Sequence, residues 1–184
     1  MISYNKSIKI LKKSIIKIKD EIIKTDKCLN RVVAEDVKNK VDNPSGDNSA
    51  FDGYAINSKD TKKLSKKKIK LFKILGTIAA GDKPYFKKIK KFQTVEIMTG
   101  GLLPKGFDTI IPIEKIIYYP NKKNPKFIVV DKEIKKNQHV RLKGSDYKKN
   151  DLLIKKGTII QSNHILALKT LGIKNIKVKK IPNI

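Results

Sequence analysis

From Tyr4 to Ile22 the apolar residues Tyr4, Ile8, Leu11, Ile15, Ile18 and Ile22 recur at spacings of three and four, with lysines between them. That period predicts one helix over 4–22 with a single apolar stripe, opened by Ser3 or Asn5 as cap. The stripe needs a cover. A core or dimer-packing role suits it, and lysine on the polar face leaves a membrane-surface role open. Leu29 to Val37 reads as a strand or a short connector. Between Ser58 and Lys91 thirteen lysines are interleaved with Leu64, Ile69, Leu71, Phe72, Ile74 and Leu75, the alternation of strands buried on one face. Gly76 to Asp82 is rich in turn formers, and its glycine spacing does not make a dinucleotide loop.

Phe107 to Ile113 predicts a strand rich in branched side chains, with Pro112 marking an edge or a bulge. Ile116 to Tyr119 and Lys126 to Val130 flank the turn formers from Pro120 to Pro125 and predict a hairpin. A second hairpin is expected over Leu152 to Ile160 with Gly157 at its turn. Ser162 then caps a short helix through Leu171, Gly172 closes it, and Ile173 to Ile181 alternates as a strand. The fold class expected is α+β, mostly β.

The length, 184 residues, allows one sizeable core or two small ones. A formal net charge of +26 raises the question of nucleic acid. Of the 43 basic residues, however, only Arg31 and Arg141 are arginine, and phosphate recognition leans on the bidentate guanidinium. Lysine is spread along the whole chain together with Ile and Asn, the mark of a compositional drift, so no specific nucleic-acid partner is expected. The positive field still raises the encounter rate with an anionic substrate. Cys28, the single cysteine, excludes an internal disulfide and a thiolate metal cluster. No stretch approaches membrane-spanning length and the first residues lack a signal-peptide core, so no membrane partner is expected and the expected compartment is the cytoplasm.

The residues with chemistry fall in loops. Asp42 to Ile56 is a turn-forming run leading into a short strand, with Asp47 and Asn48 in the turn and Asp52 where loop becomes strand. A carboxylate at such a place is held by the strand yet open to a ligand; closing turns is the alternative use of the same residues. Thr99, Gly100 and Gly101 offer a hydroxyl and glycine amides able to face an anion as a backbone nest, and a plain hairpin turn would use them too. Arg141 and Lys143 alternate in an extended segment and could meet phosphate oxygens together, with Asp146 in the turn behind them. Neither His139 nor His164 has a second ligand at zinc spacing, so both read as surface or packing residues, and no metal-binding residue can be assigned.

Three ordered segments, Asp47-Asn-Ser-Ala-Phe-Asp-Gly-Tyr-Ala55, Met98-Thr-Gly-Gly101 with Pro104 and Gly106 behind it, and Arg141-Leu-Lys-Gly-Ser-Asp146, resemble the molybdopterin molybdenumtransferases, the MoeA and gephyrin E-domain family. The resemblance covers the amino-terminal part of that family. It implies an elongated domain built from both chain ends, 1–41 and 137–184, with an inserted barrel-like β domain over 42–136. It implies a part in inserting molybdate into adenylylated molybdopterin with release of AMP and with Mg2+ assisting, in a homodimer whose loops face the partner's active site. By position Asp52, Thr99 and Asp146 match residues implicated in the reaction. Phe51 replaces the family methionine, Gly101 the usual alanine, and Ser145 a glutamate whose charge is thereby lost. In the family a three-layer α/β domain follows near Ile184 and holds most of the contacts to pterin and molybdate. This chain alone is therefore expected not to transfer molybdenum, whether it is a gene fragment or one half of a split enzyme that a separate chain completes. The alternative is a noncatalytic dimerisation or scaffold module of the same family.

Overall fold

The structure, a computed structural model, describes residues 2–14, 18–83 and 88–182. In chain order the elements are α1 (Tyr4–Lys13), β1 (Asp20–Lys24), β2 (Val37–Lys38), β3 (Asn48–Ser49), β4 (Gly53–Ile56), β5 (Lys70–Ile78) and β6 (Gln93–Ile97). They continue with β7 (Thr109–Pro112), β8 (Ile117–Tyr119), β9 (Phe127–Val130), β10 (Val140–Arg141), β11 (Leu152–Ile154), α2 (Ser162–Thr170) and β12 (Asn175–Lys179). The result is α+β and mostly β.

Contacts divide the chain into two compact units, residues 1–40 with 150–184 and residues 41–149. The sequence reading put the return at 136/137. Residues 137–149 instead belong with the middle of the chain, because β10 pairs with β3 and because Asn43 and Tyr147 exchange backbone hydrogen bonds.

The middle unit is built on a curled six-stranded sheet in the order β7-β4-β6-β5-β9-β8, antiparallel except for β5 with β6. Strand β4 is buried on both faces: Tyr54 and Ile56 join Phe72, Ile111 and Ile128 in one apolar cluster, and Ala55 joins Val95, Ile97 and Ile110 in another. Burial also pushes the Tyr54 hydroxyl pKa well above its ordinary value. The crowding shows at Gly53, where a Cβ would lie 2.2 Å from the Ile111 carbonyl oxygen, so only glycine lets β4 and β7 close. Pro112 ends β7 at the sheet edge, where its missing N–H costs no ladder bond. The Ile116 to Val130 hairpin forms as β8 and β9.

In the unit formed by the chain ends, β1 pairs antiparallel with β12, and Cys28, Val33, Ile154, Ile160, Leu168, Ile176 and Val178 make the core. Burial pushes the Cys28 thiol pKa up, which keeps it protonated and inert. The predicted helix over 4–22 is corrected here: α1 ends at Lys13, and Ile22 lies in β1 opposite Lys177. Tertiary pairing with β12 overrides the helical period at Ile22, Ile18 lies in the connection ahead of β1, and Ile15 lies outside the described residues. The Leu152 to Ile160 segment does not fold on itself as a hairpin. Its first half pairs with β2 and Ile159 bridges to Val32. The cap of α2 is Gln161 rather than Ser162, in a reciprocal box in which the Gln161 amide donates to His164 Nδ1 at 3.0 Å. Among the described residues no helix is long and apolar enough to cross a membrane.

Candidate functional site

All three loop segments meet at β3, a strand of two residues. On one side the Gly100 amide donates to the Ser49 carbonyl at 2.8 Å, the Ser49 amide to the Gly101 carbonyl at 3.0 Å and the Leu103 amide to the Asp47 carbonyl at 2.8 Å. On the other side β3 pairs with β10, matching Asn48 with Arg141, and the Ala50 amide donates to the His139 carbonyl at 3.0 Å. Asp47 clamps both neighbours, since its Oδ1 also accepts the Lys143 amide at 2.8 Å. Asp42 adds a further tie, accepting the Lys149 amide at 2.8 Å and facing Lys143 Nζ at 3.3 Å. Those donors hold the Asp42 carboxyl below its ordinary pKa, the Lys149 amide foremost. In sequence Asp47 reads as a turn former and Asp42 has no assigned role; the signal was a pair of aspartates flanking a Pro-Gly turn, but their partners are about a hundred positions away.

Asp52 immediately precedes β4. Its Oδ1 accepts the Thr99 amide at 2.6 Å and the Thr99 hydroxyl at 2.7 Å. The amide first and the hydroxyl second hold the carboxyl below the ordinary carboxylate pKa, because both bonds favour the charged form. Asp52 is therefore ionised at neutral pH, is exposed, and no donor among the described residues meets its Oδ2. Asp146 lies with Arg141, whose Nη2 is 2.5 Å from Asp146 Oδ2. Ser145, in place of the family glutamate, directs its hydroxyl to Asp146 Oδ1 at 3.4 Å.

Two sequence expectations change. The amides of Thr99, Gly100 and Gly101 do not form an open nest, because they are committed to Asp52, Ser49 and Met98 respectively. The extended run at Arg141 stops there; Lys143 lies in a turn and is paired with Asp42, so the two cations do not alternate along one strand. What remains for an anion is the unshared guanidinium edge of Arg141 and the exposed Lys143 ammonium.

Two buried side-chain atoms without a hydrogen-bond partner, Asn48 Oδ1 and His139 Nε2, fall in these same loops. His139 packs edge-on against Phe51 with ring centroids 4.9 Å apart. Two recesses lie apart from the carboxylates. One of about 460 Å3 is lined by Thr25, Asp26, Lys169 and Ile173, and another of about 350 Å3, bounded by Ile110, Lys115, Lys132 and Gln138, reaches these loops only at His139. Asp52 and Asp146 are both exposed. Among the described residues no three of His, Cys, Asp or Glu come together closely enough to hold a metal ion.

The chain has counterparts among known proteins. Residues 2–172 match the family described as "MoeA N-terminal region (domain I and II)". The chain belongs to the MoeA family. It is 33% identical over 159 residues to a molybdopterin molybdenumtransferase of Staphylococcus aureus strain Mu50, covering 86% of this chain and 36% of that protein. A Staphylococcus epidermidis molybdopterin molybdenumtransferase is 30% identical over 183 residues, covering 100% of this chain and 42% of the relative. The solved structure of a Pyrococcus horikoshii molybdopterin biosynthesis MoeA protein superposes with a TM-score of 0.88 at 30% identity, over 97% of this chain and 44% of that one. This MoeA chain therefore spans about two-fifths of the length of its relatives, corresponds to their amino-terminal region and belongs to a family of molybdenum cofactor biosynthesis.

Proposed function

We propose that this chain supplies one wall of a molybdopterin molybdenumtransferase site, with Asp52, Thr99 and Asp146 at the reaction and Arg141 and Lys143 toward the phosphate groups of adenylylated molybdopterin. The observation that carries the reading is the Asp52 carboxylate, ionised and fixed by two Thr99 donors yet open at Oδ2. A carboxylate so held is preorganised, since its orientation is set before a ligand arrives. It accepts a hydrogen bond or orients a water beside the incoming molybdate. Gly100 and Gly101 contribute by pinning Thr99 to Ser49 rather than by direct anion contact. The net charge of +26 draws in the two anionic substrates, molybdate and the nucleotide-linked pterin.

An exposed carboxylate open at Oδ2 suits completion by a further polypeptide, either a partner subunit in a homodimer or a separate chain equivalent to the remainder of the relatives. Co-expression in a transferase-deficient bacterial host tests this, with molybdoenzyme activity as the readout. The chain together with the carboxyl-terminal remainder of the Staphylococcus epidermidis relative restores activity, the chain alone does not, and Asp52→Asn removes at least nine-tenths of what is restored. Tight binding of adenylylated molybdopterin by the isolated 184 residues, or full activity of Asp52→Asn, contradicts the proposal.

A second reading, a noncatalytic dimerisation module, rests on α1. No α1 residue is buried, and Tyr4 and Leu11 are 78% and 67% exposed. Sedimentation equilibrium of wild type against Leu11→Ser gives its weight: a dimer abolished by that one change favours it.

A further inference from the structure

Strands β5, β9 and β8 carry an apolar surface on the face opposite their core. Phe72, Ile128 and Tyr118 form the inward row, the first two fully buried. The residues on either side of them point the other way. Leu71, Val129 and Ile117 make one outward row by register, and Lys73, Phe127 and Tyr119 make the next. Ile117 and Tyr119 are 57% and 51% exposed, and the Tyr119 and Phe127 rings lie 6.4 Å apart. In a chain whose commonest exposed residue is lysine, two adjacent outward rows with a single charge mark a surface with a use. Strand β8 ends the sheet, paired with β9 and with no other strand among those described.

We infer that the β8 edge is a docking site for an extended segment of another protein in which aliphatic and acidic residues alternate, added to the sheet as a further strand. The unpaired edge selects a strand over a lipid surface, because an open edge needs hydrogen-bonding backbone and a hydrocarbon layer has none to offer. Charge selects an acidic strand. Lys73 stands in the outward rows, Lys115 precedes β8, and Lys122, Lys123 and Lys126 lie in the turn between β8 and β9. The nearby carboxylates in sequence, Glu114, Asp131 and Glu133, fall outside the two rows. A second copy of this chain would bring the same lysines against lysines. This site is independent of the Asp52 loops and of the transferase reading.

The test uses the 15N-labelled chain and a blocked probe peptide, Glu-Val-Asp-Val-Glu-Ile-Glu, with a control of identical composition in which the acidic and aliphatic residues are grouped into two blocks. The alternating probe shifts the amides of residues 116–120 and 127–130. The block control binds at least tenfold more weakly, as does the alternating probe to Tyr119→Lys, a change at an exposed position that leaves the fold intact. Equal binding of the two peptides would show nonspecific attraction to a basic chain and overturn the inference. So would the same amide shifts with phosphatidylglycerol vesicles in place of peptide, or a concentration-dependent dimer lost in Tyr119→Lys.

Discussion

Helix α1 has the clearest apolar period in the chain and buries none of its residues, whereas the loops joined at β3 have no period at all and are tied to one another by backbone amides and two aspartates. The difference separates two meanings of a sequence pattern. Periodicity states which face of an element needs a cover, and the cover can come from outside the chain. Turn-forming aspartates state that backbone donors need acceptors, and here the chain provides both sides of each bond.

The widest gap between the regions is in stability. Phe72→Ala, at the centre of the middle unit, is expected to cost about 3–5 kcal/mol, read as loss of amide protection across β4 to β9. Gly53→Ala is next, at about 2–3 kcal/mol from overpacking against the Ile111 carbonyl, with the β4 and β7 amides exchanging first. A smaller effect, on charge rather than stability, is expected at Asp52. Its native pKa lies below the ordinary 3.8, so the stabilisation it brings is present above the unfolded-state value and is lost as pH falls through the native one. Carboxyl 13C titration places the midpoint below 3.8. Thr99→Val moves it back up only in part, because the Thr99 amide, the larger cause, remains. Least of all, Leu11→Ser changes the unfolding free energy of the monomer by under about 0.5 kcal/mol, checked by urea denaturation at low protein concentration. A loss like that of Phe72→Ala would show that this chain covers α1 after all.

The β strands with alternating residues, β5, β8 and β9, were legible in the sequence because a half-buried strand writes its burial into a period of two. The end of α1 was not, since Ile22 satisfies the helical spacing while its pairing partner in β12, Lys177, lies some 155 residues further on. The hairpin expected over Leu152 to Ile160 failed in the same way: its two halves find nonlocal partners in β2 and Val32. In the site, the resemblance singled out Asp52 and Thr99, and the structure joins them by two hydrogen bonds. The anion nest at Gly100 and Gly101 was misread because sequence shows where amides are exposed by turns and not which carbonyls have already taken them. Asp47 escaped notice as a clamp because a turn former and a clamp look alike until Lys143 is seen on its carboxylate.

Amide hydrogen exchange, read residue by residue on the isolated chain, addresses the loop cluster most directly. If the three segments are locked around β3 without help from any other polypeptide, the amides of Ser49, Ala50, Thr99, Gly100 and Lys143 exchange together and far more slowly than those of α1. Exchange of these five amides at the rate of α1 would mean that the loops are not held in the free chain, and that the preorganised Asp52 carboxylate does not exist before a partner binds.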